Sequence, residues 1–129
     1  MSLKLRLKPD EKVIIGGAVI HNGAKASEFV VENTVPILRQ KDIMAEKEAC
    51  SPSRRVYFVI QLMYIDRDNQ VDYHTQYWDL VKDILAAAPS TKQHVDGISE
   101  KVVAGDFYHA LKLTRKLIDY EEELLSHVK

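Results

Sequence analysis

The sequence predicts an α+β fold: a small N-terminal antiparallel β-sheet or partial barrel followed by a C-terminal antiparallel bundle of about four helices. Over the first forty residues apolar and polar side chains alternate, as in strands with one buried face. From about residue 51 the apolar spacing changes to three and four residues, which is typical of helices. The connections are short and no repeat or long linker intervenes, so we expect residues 1–45 and 46–129 to share contacts and fold as one cooperative unit.

The first strand is predicted from strict alternation of side chains. Its apolar residues are Leu3, Leu5 and Leu7. The residues between and after them are basic: Lys4, Arg6 and Lys8. Pro9 and Asp10 suit the centre of a turn, so this strand and a second one beginning at Val13 are expected to form a hairpin.

Further turn signals divide the rest of the β-rich half. Gly16 and Gly17 punctuate the chain before a third strand, residues 18–21. Asn22-Gly23 is a common hairpin dipeptide, so residues 28–32 are expected to return beside that strand. Pro36 lacks a backbone donor, which confines the last strand, residues 35–38, to an edge or a bulge.

The helical half begins after a charged connector, residues 41–49, that has room for one or two helical turns. Ser51 is a good N-cap and Pro52 suits the first helical position, so the apolar run at residues 56–65 is predicted to be a buried helix. A second helix keeps apolar spacing from Tyr73 until Pro89 stops it.

Two more helices follow. Ser90 and Gln93 have the spacing of a capping box for a short third helix, which is expected to end at Gly105. Asp106 can cap the last helix, whose apolar positions continue to Val128. Because these apolar positions cover a broad arc while the polar ones mix charge signs, we expect this helix mainly to secure the fold.

Composition excludes several classes of protein. At 129 residues, with 46% hydrophobic and 29% charged residues, the chain is long and apolar enough to fold. The run at residues 56–65 is too short to cross a bilayer, and the charged first six residues do not resemble a signal peptide. We therefore expect no membrane partner. The single cysteine, Cys50, cannot form an internal disulfide, so we expect a cytoplasmic protein.

Charge is distributed unevenly along the chain. Residues 1–55 hold ten Lys or Arg and seven Asp or Glu, whereas residues 56–129 hold eight and twelve. The basic first half is therefore the part that would meet a nucleic acid. The candidate phosphate-binding residues there are Lys4, Arg6, Lys8, Lys12 and Arg39. The alternative is that these residues form the ordinary solvent-exposed face of an amphipathic strand and bind no nucleic acid.

Other candidate sites are weak. Aromatic residues that could stack on bases are scarce in the basic half: Phe29 is the only Phe, Tyr or Trp before Tyr57 in the sequence. Its position suits a core as well as a base platform. The five histidines lack metal-ligand spacing, and Cys50 has no evident catalytic partner. We therefore expect no metal, no cofactor and no enzymatic activity.

Several separated blocks resemble the FlbT family of flagellum biosynthesis regulators. They are LKLRLKP at residues 3–9, the NG pair at 22–23, LRQKDIM at 38–44, SPSRRVYF at 51–58 and LTRKLIDYE at 113–121. The resemblance runs from the first residue to about Val128. It implies a bacterial post-transcriptional repressor that associates with the 5′ untranslated region of flagellin messenger RNA and promotes its degradation; some relatives are thought to favour flagellar gene expression instead.

Two further resemblances bear on mechanism. The opening strands are loosely similar to those of carbon-storage-regulator messenger RNA binders, which present basic side chains to RNA loops. The helical half is loosely similar to flagellin export chaperones. An alternative function is therefore a protein-binding adaptor that holds flagellin or another flagellar regulatory protein in a helical groove. A homodimer through the Pro36 strand is compatible with either function.

Overall fold

The computed structural model describes residues 2–127, and its contacts divide the chain into two compact units after Ile43. We call residues 1–43 the strand unit and residues 44–129 the helical unit. The α+β class is confirmed, with antiparallel strands in two small sheets followed by four helices. That the two units unfold in a single transition stays a prediction.

The strand unit contains five short strands in two antiparallel sheets. The strands are β1 (Leu3–Leu7), β2 (Lys12–Ile15), β3 (Ala18–His21), β4 (Ser27–Val31) and β5 (Ile37–Arg39). β1 pairs with β4, and the other sheet has the order β3-β2-β5. The last strand lies at a sheet edge, as predicted, but it begins at Ile37, after Pro36, and does not span residues 35–38.

A tight hairpin joins β2 and β3. Ile15 pairs with Ala18, so the loop contains Gly16 and Gly17 alone, with φ values of 57° and 89°. Two-residue hairpin loops of type I′ need positive φ at both central positions, and glycine adopts it at little cost. The two glycines therefore make a hairpin rather than a simple break between strands.

The hairpin predicted between β1 and β2 is wrong. Residues 8–11 do form a turn, closed by the Glu11 N–H and the Lys8 carbonyl at 3.1 Å, but it leads the chain from one sheet into the other. β1 instead pairs with β4, from Leu3 opposite Val31 to Leu7 opposite Ser27. Alternation fixes which side chains share a face, but it does not identify the neighbouring strand.

The hairpin predicted at Asn22-Gly23 is also wrong, because the Gly16-Gly17 turn already folds β3 back on β2. The Asn22 side chain instead joins the end of β1 to the start of β4. Its amide donates to the carbonyls of Lys8 (2.7 Å) and Lys25 (3.0 Å), and its Oδ1 accepts from the Ser27 hydroxyl (2.8 Å).

The helical unit begins with a buried polar contact. Met44 is buried, and its backbone N–H and carbonyl bind the side-chain amide of buried Gln61 at 2.8 and 2.9 Å. Two 3₁₀ turns form here: Gln40–Asp42, which begins one residue before the predicted connector at residues 41–49, and Glu46–Glu48, which lies in the helical unit.

Four helices follow: α1 (Pro52–Ile65), α2 (Gln70–Ala87), α3 (Lys92–Val103) and α4 (Phe107–Ser126). The Ser51 cap is confirmed, since its hydroxyl accepts from the Arg54 N–H at 3.2 Å. The Asp106 carboxylate likewise accepts from the His109 N–H, and Gly105 has a φ of 76° at the end of α3. Val128 lies outside the described residues.

The capping box predicted at Ser90 and Gln93 is wrong. Ser90 lies in a 3₁₀ turn, Pro89–Thr91, and its hydroxyl accepts from the Tyr120 hydroxyl at 2.7 Å. Thr91 precedes α3, but its hydroxyl donates back to the Ala88 carbonyl (2.7 Å) and does not cap the helix. The hydroxyls are thus used by contacts that sequence spacing does not reveal.

In the helical unit α1 packs against α2 and α4, and α3 packs on α4. The most buried side chains include Val56, Ile60, Tyr77, Ile98 and Leu117. Burial raises the pKa of Tyr77 to about 12, and its hydroxyl lies 2.8 Å from that of Ser99. Within residues 2–127 no helix is both long and apolar enough to span a membrane.

Candidate nucleic-acid interface

The outer face of the β1–β4 sheet carries the first two candidate residues. Lys4 and Arg6 alternate with buried Leu5 and Leu7, so both cations point away from the apolar side. Register places Arg6 opposite Glu28. The Glu28 carboxylate pairs with Lys4 at 3.1 Å and with Arg6 at 2.9 Å. Two cations therefore share one carboxylate, and Glu32, which alternates with Glu28 and Val30, adds an exposed second carboxylate at the end of this face.

These ion pairs are open to solvent. The side chains of Lys4 and Arg6 are 67% and 80% exposed. Exposed ion pairs contribute only about 0–1 kcal/mol because water and salt screen them. An incoming phosphate can therefore replace Glu28 at small cost.

Arg39 lies in a more restricted position. Its Nη2 donates to the Arg6 carbonyl at 2.9 Å and to the Glu11 carboxylate at 3.1 Å. Its Nε is buried without a hydrogen-bond partner among the described residues, and its side chain is 36% exposed. Arg39 thus joins β1 to the segment before β2. Its guanidinium group is less accessible to a phosphate than the charged groups of Lys4 and Arg6.

Lys8 and Lys12 flank the turn between β1 and β2. The Lys8 N–H donates to Glu11 Oε1 (2.9 Å) and the Lys12 N–H donates to Gln40 Oε1 (2.6 Å), while both residues are exposed. Within residues 2–127 neither lysine side chain takes part in an ion pair. Both ammonium groups are therefore available to an anion.

Glu11 is the second carboxylate of this region. The Lys8 backbone N–H, and then the hydrogen bond and charge of Arg39, hold the pKa of Glu11 below its ordinary value of 4.5, against partial desolvation. A carboxylate with a lowered folded-state pKa stabilises the fold above its unfolded pKa, and this contribution is lost as the pH falls through the folded pKa.

Glu11→Gln should therefore destabilise the protein at pH 7, and the difference from wild type should shrink as the pH falls below about 4.5. Urea denaturation at a series of pH values measures this. Glu32→Gln is the control, because Glu32 is exposed and forms no ion pair among the described residues. A Glu11→Gln difference that stays constant from pH 7 to pH 3 would contradict the role of this carboxylate.

Phe29 and Val30 of β4 lie on opposite faces of the β1–β4 sheet. Phe29 lies opposite Leu5, on the side away from Lys4 and Arg6, so it does not offer a base platform beside these cations. Val30 lies opposite Lys4 on the outer face and is 53% exposed. Sequence reasoning missed Val30, Glu28 and Glu11; the alternation of Glu28, Val30 and Glu32 was the available signal for the first two.

Other candidate chemistry stays dispersed. Within residues 2–127 no three His, Cys, Asp or Glu side chains come together in a way that could hold a metal ion. Cys50 is exposed. His109 Nδ1 lies 2.8 Å from the Asp106 carboxylate, and His94 lies against the Tyr120 ring, with ring centroids 5.1 Å apart. These histidines therefore serve local contacts.

The family model and the similar proteins that match this chain all name the same family. Residues 3–125 match the family model described as "Flagellar protein FlbT". The chain is 43% identical over 125 residues to "Probable flagellum biosynthesis repressor protein FlbT 1" of Bradyrhizobium diazoefficiens, covering 96% of this chain and 85% of that relative. It is 38% identical to "Flagellum biosynthesis repressor protein FlbT" of Caulobacter vibrioides, covering 99% of this chain and 92% of the relative. No solved structure matches the chain.

Proposed function

Because the chain belongs to the FlbT family of flagellar proteins, we propose that it represses flagellum biosynthesis by associating with the 5′ untranslated region of flagellin messenger RNA and promoting degradation of that RNA. The names of its relatives support a regulator of flagellum synthesis. The RNA target is what the family resemblance implies. The chain acts in the cytoplasm by binding, and cleavage belongs to a cellular nuclease.

The observation that carries the proposal is the exposed pair Lys4 and Arg6 on the outer face of β1. Side chains two residues apart on a strand lie about 7 Å apart along it, so both can contact one RNA backbone segment. Lys8, an exposed residue, follows directly after this strand. This face meets phosphates once they displace Glu28 from its exposed ion pairs.

The charge of the strand unit supports this assignment. It contains seven Lys or Arg and five Asp or Glu, while the helical unit contains eleven and fourteen. Phe29, the only Phe, Tyr or Trp in the strand unit, points away from Lys4 and Arg6. Binding through this face should therefore be mainly electrostatic, with RNA shape rather than base stacking selecting the site.

The test is a titration of labelled flagellin leader RNA with the purified full chain over a series of salt concentrations. The log–log slope of the association constant against salt should be close to −0.7 for each phosphate contacted, so about −2 for three contacts. A leader RNA of shuffled sequence is the control for specificity. The absence of any salt-dependent complex, with purified protein and also with added cell extract, would refute RNA binding.

A further inference from the structure

The helical unit carries a groove that the RNA proposal does not use. It lies between α1 and α2 and has a volume of about 550 Å³. Its floor is formed by Phe58, Val59 and Leu62 of α1 and Leu80 of α2. Phe58, Leu62 and Leu80 are only half-buried, so the floor remains partly open to solvent.

The groove is elongated. Helices α1 and α2 are joined by four residues and pack together, which makes them antiparallel neighbours. The lining positions on α1 run from Arg55 to Leu62, a length of about 10 Å or two helical turns. A groove of this length and apolar floor suits two or three side chains from one face of a helix.

The sides of the groove are acidic. Asp79 lines it on α2, and Asp72 and Asp83 share the helix face of Asp79 by their spacing of seven and four residues. Glu46 lines it on the other side, in the 3₁₀ turn that also contains Glu48. Three cations lie near these five carboxylates: Arg55, which lines the groove, Lys47 and Lys82; the net charge around the groove is therefore −2.

The acidic residues of α2 are also available. Within residues 2–127, Asp72, Asp79 and Asp83 form no ion pair, and all three are exposed. RNA would be repelled from such a border. A second copy of the helical unit, which is itself acidic overall, would also be disfavoured.

We propose that the groove between α1 and α2 binds a basic amphipathic helix of a protein partner. Apolar side chains spaced three, four and seven residues apart would rest on Phe58, Leu62 and Leu80. Lysine or arginine residues beside that apolar face would meet Asp79 and Asp83. The recognition chemistry is an apolar stripe bordered by positive charge, and it is independent of whether the strand unit binds RNA.

Two synthetic helical peptides test this proposal with the full chain. Both have leucine at the same spacing; one carries flanking lysines and the other carries glutamates at those positions. Titration of the ¹⁵N-labelled protein with the lysine peptide should shift the amide signals of residues 55–62 and 76–83. The glutamate peptide should leave these signals unchanged at the same concentration.

Charge reversal provides the matched variants. Asp79→Lys/Asp83→Lys should weaken binding of the lysine peptide by about ten-fold and should create binding of the glutamate peptide. Asp119→Lys/Glu123→Lys makes the same charge change at exposed positions of α4 and should have little effect. All four carboxylates are exposed, so these variants should fold.

Three results would overturn the proposal. The first is a lysine peptide that binds the Asp79→Lys/Asp83→Lys protein as tightly as wild type, or that loses equal affinity with the α4 variant. The second is a set of shifted amides on α3 and α4 instead of α1 and α2. The third is a wild-type dimer in light scattering that the α2 variant dissociates, because the groove would then hold a second copy.

Discussion

Leu117→Ala should lower the free energy of unfolding by about 2–5 kcal/mol. Leu117 is fully buried in α4, the helix that packs against both α1 and α3. Truncation removes three carbon atoms from this contact and leaves a cavity, since packed helices close such a space only partly. A small protein has only about 5–15 kcal/mol of stability in total, so the loss is large.

Urea denaturation followed by circular dichroism measures the effect. Leu125→Ala is the matched control, because Leu125 lies on the same helix and is 61% exposed; its change should stay within about 0.5 kcal/mol. Below the unfolding transition, Leu117→Ala should still bind RNA through β1. If the Leu117→Ala protein is as stable as wild type but no longer binds RNA, the RNA-binding function lies in the helical unit.

Lys4→Gln/Arg6→Gln should weaken RNA binding about 25-fold at 0.1 M salt. Two lost phosphate contacts reduce the magnitude of the log–log slope by about 1.4, and this corresponds to about 25-fold between the 1 M reference and 0.1 M salt. Both side chains are largely exposed, and the ion pairs that they form within residues 2–127 are with Glu28. Stability should therefore change by less than about 1 kcal/mol. The strand register does not depend on these two cations, because the apolar side of β1 is unchanged.

Two companion variants make the result specific. Lys92→Gln/Lys116→Gln removes two exposed cations from the helical unit and should leave the salt slope unchanged. Glu28→Gln removes the carboxylate that competes with phosphate, so it should tighten binding. RNA affinity that is indifferent to Lys4, Arg6 and Glu28 would exclude this face as the binding site.

Local signals in the sequence were sufficient for the helix boundaries that depend on them. Ser51 and Pro52 define the start of α1, and Asp106 the start of α4, because capping and the fixed φ of proline involve neighbours within three residues. Alternation in β1 likewise identified Lys4 and Arg6 as outward-facing. These are properties of one element at a time.

The pairing of elements could not be predicted in this way. The position of Glu28 between Lys4 and Arg6 depends on the register of β1 against β4, and a shift of one residue would turn Glu28 to the other face. The tie between Arg39 and Glu11 depends on which sheet each strand joins. The Gly16-Gly17 turn was visible in the sequence, but Asn22-Gly23 offered a competing hairpin.

The hairpin at Gly16-Gly17 has a consequence for how the nascent chain folds. β2 and β3 close over two residues, whereas β1 must wait for β4, which begins twenty residues after Leu7. Loop closure favours the shorter connection, so β2 and β3 can pair while β1 still lacks its partner strand during synthesis. In that interval Leu5 and Leu7 are exposed, and the cations between and after them act as gatekeepers that disfavour association with other chains.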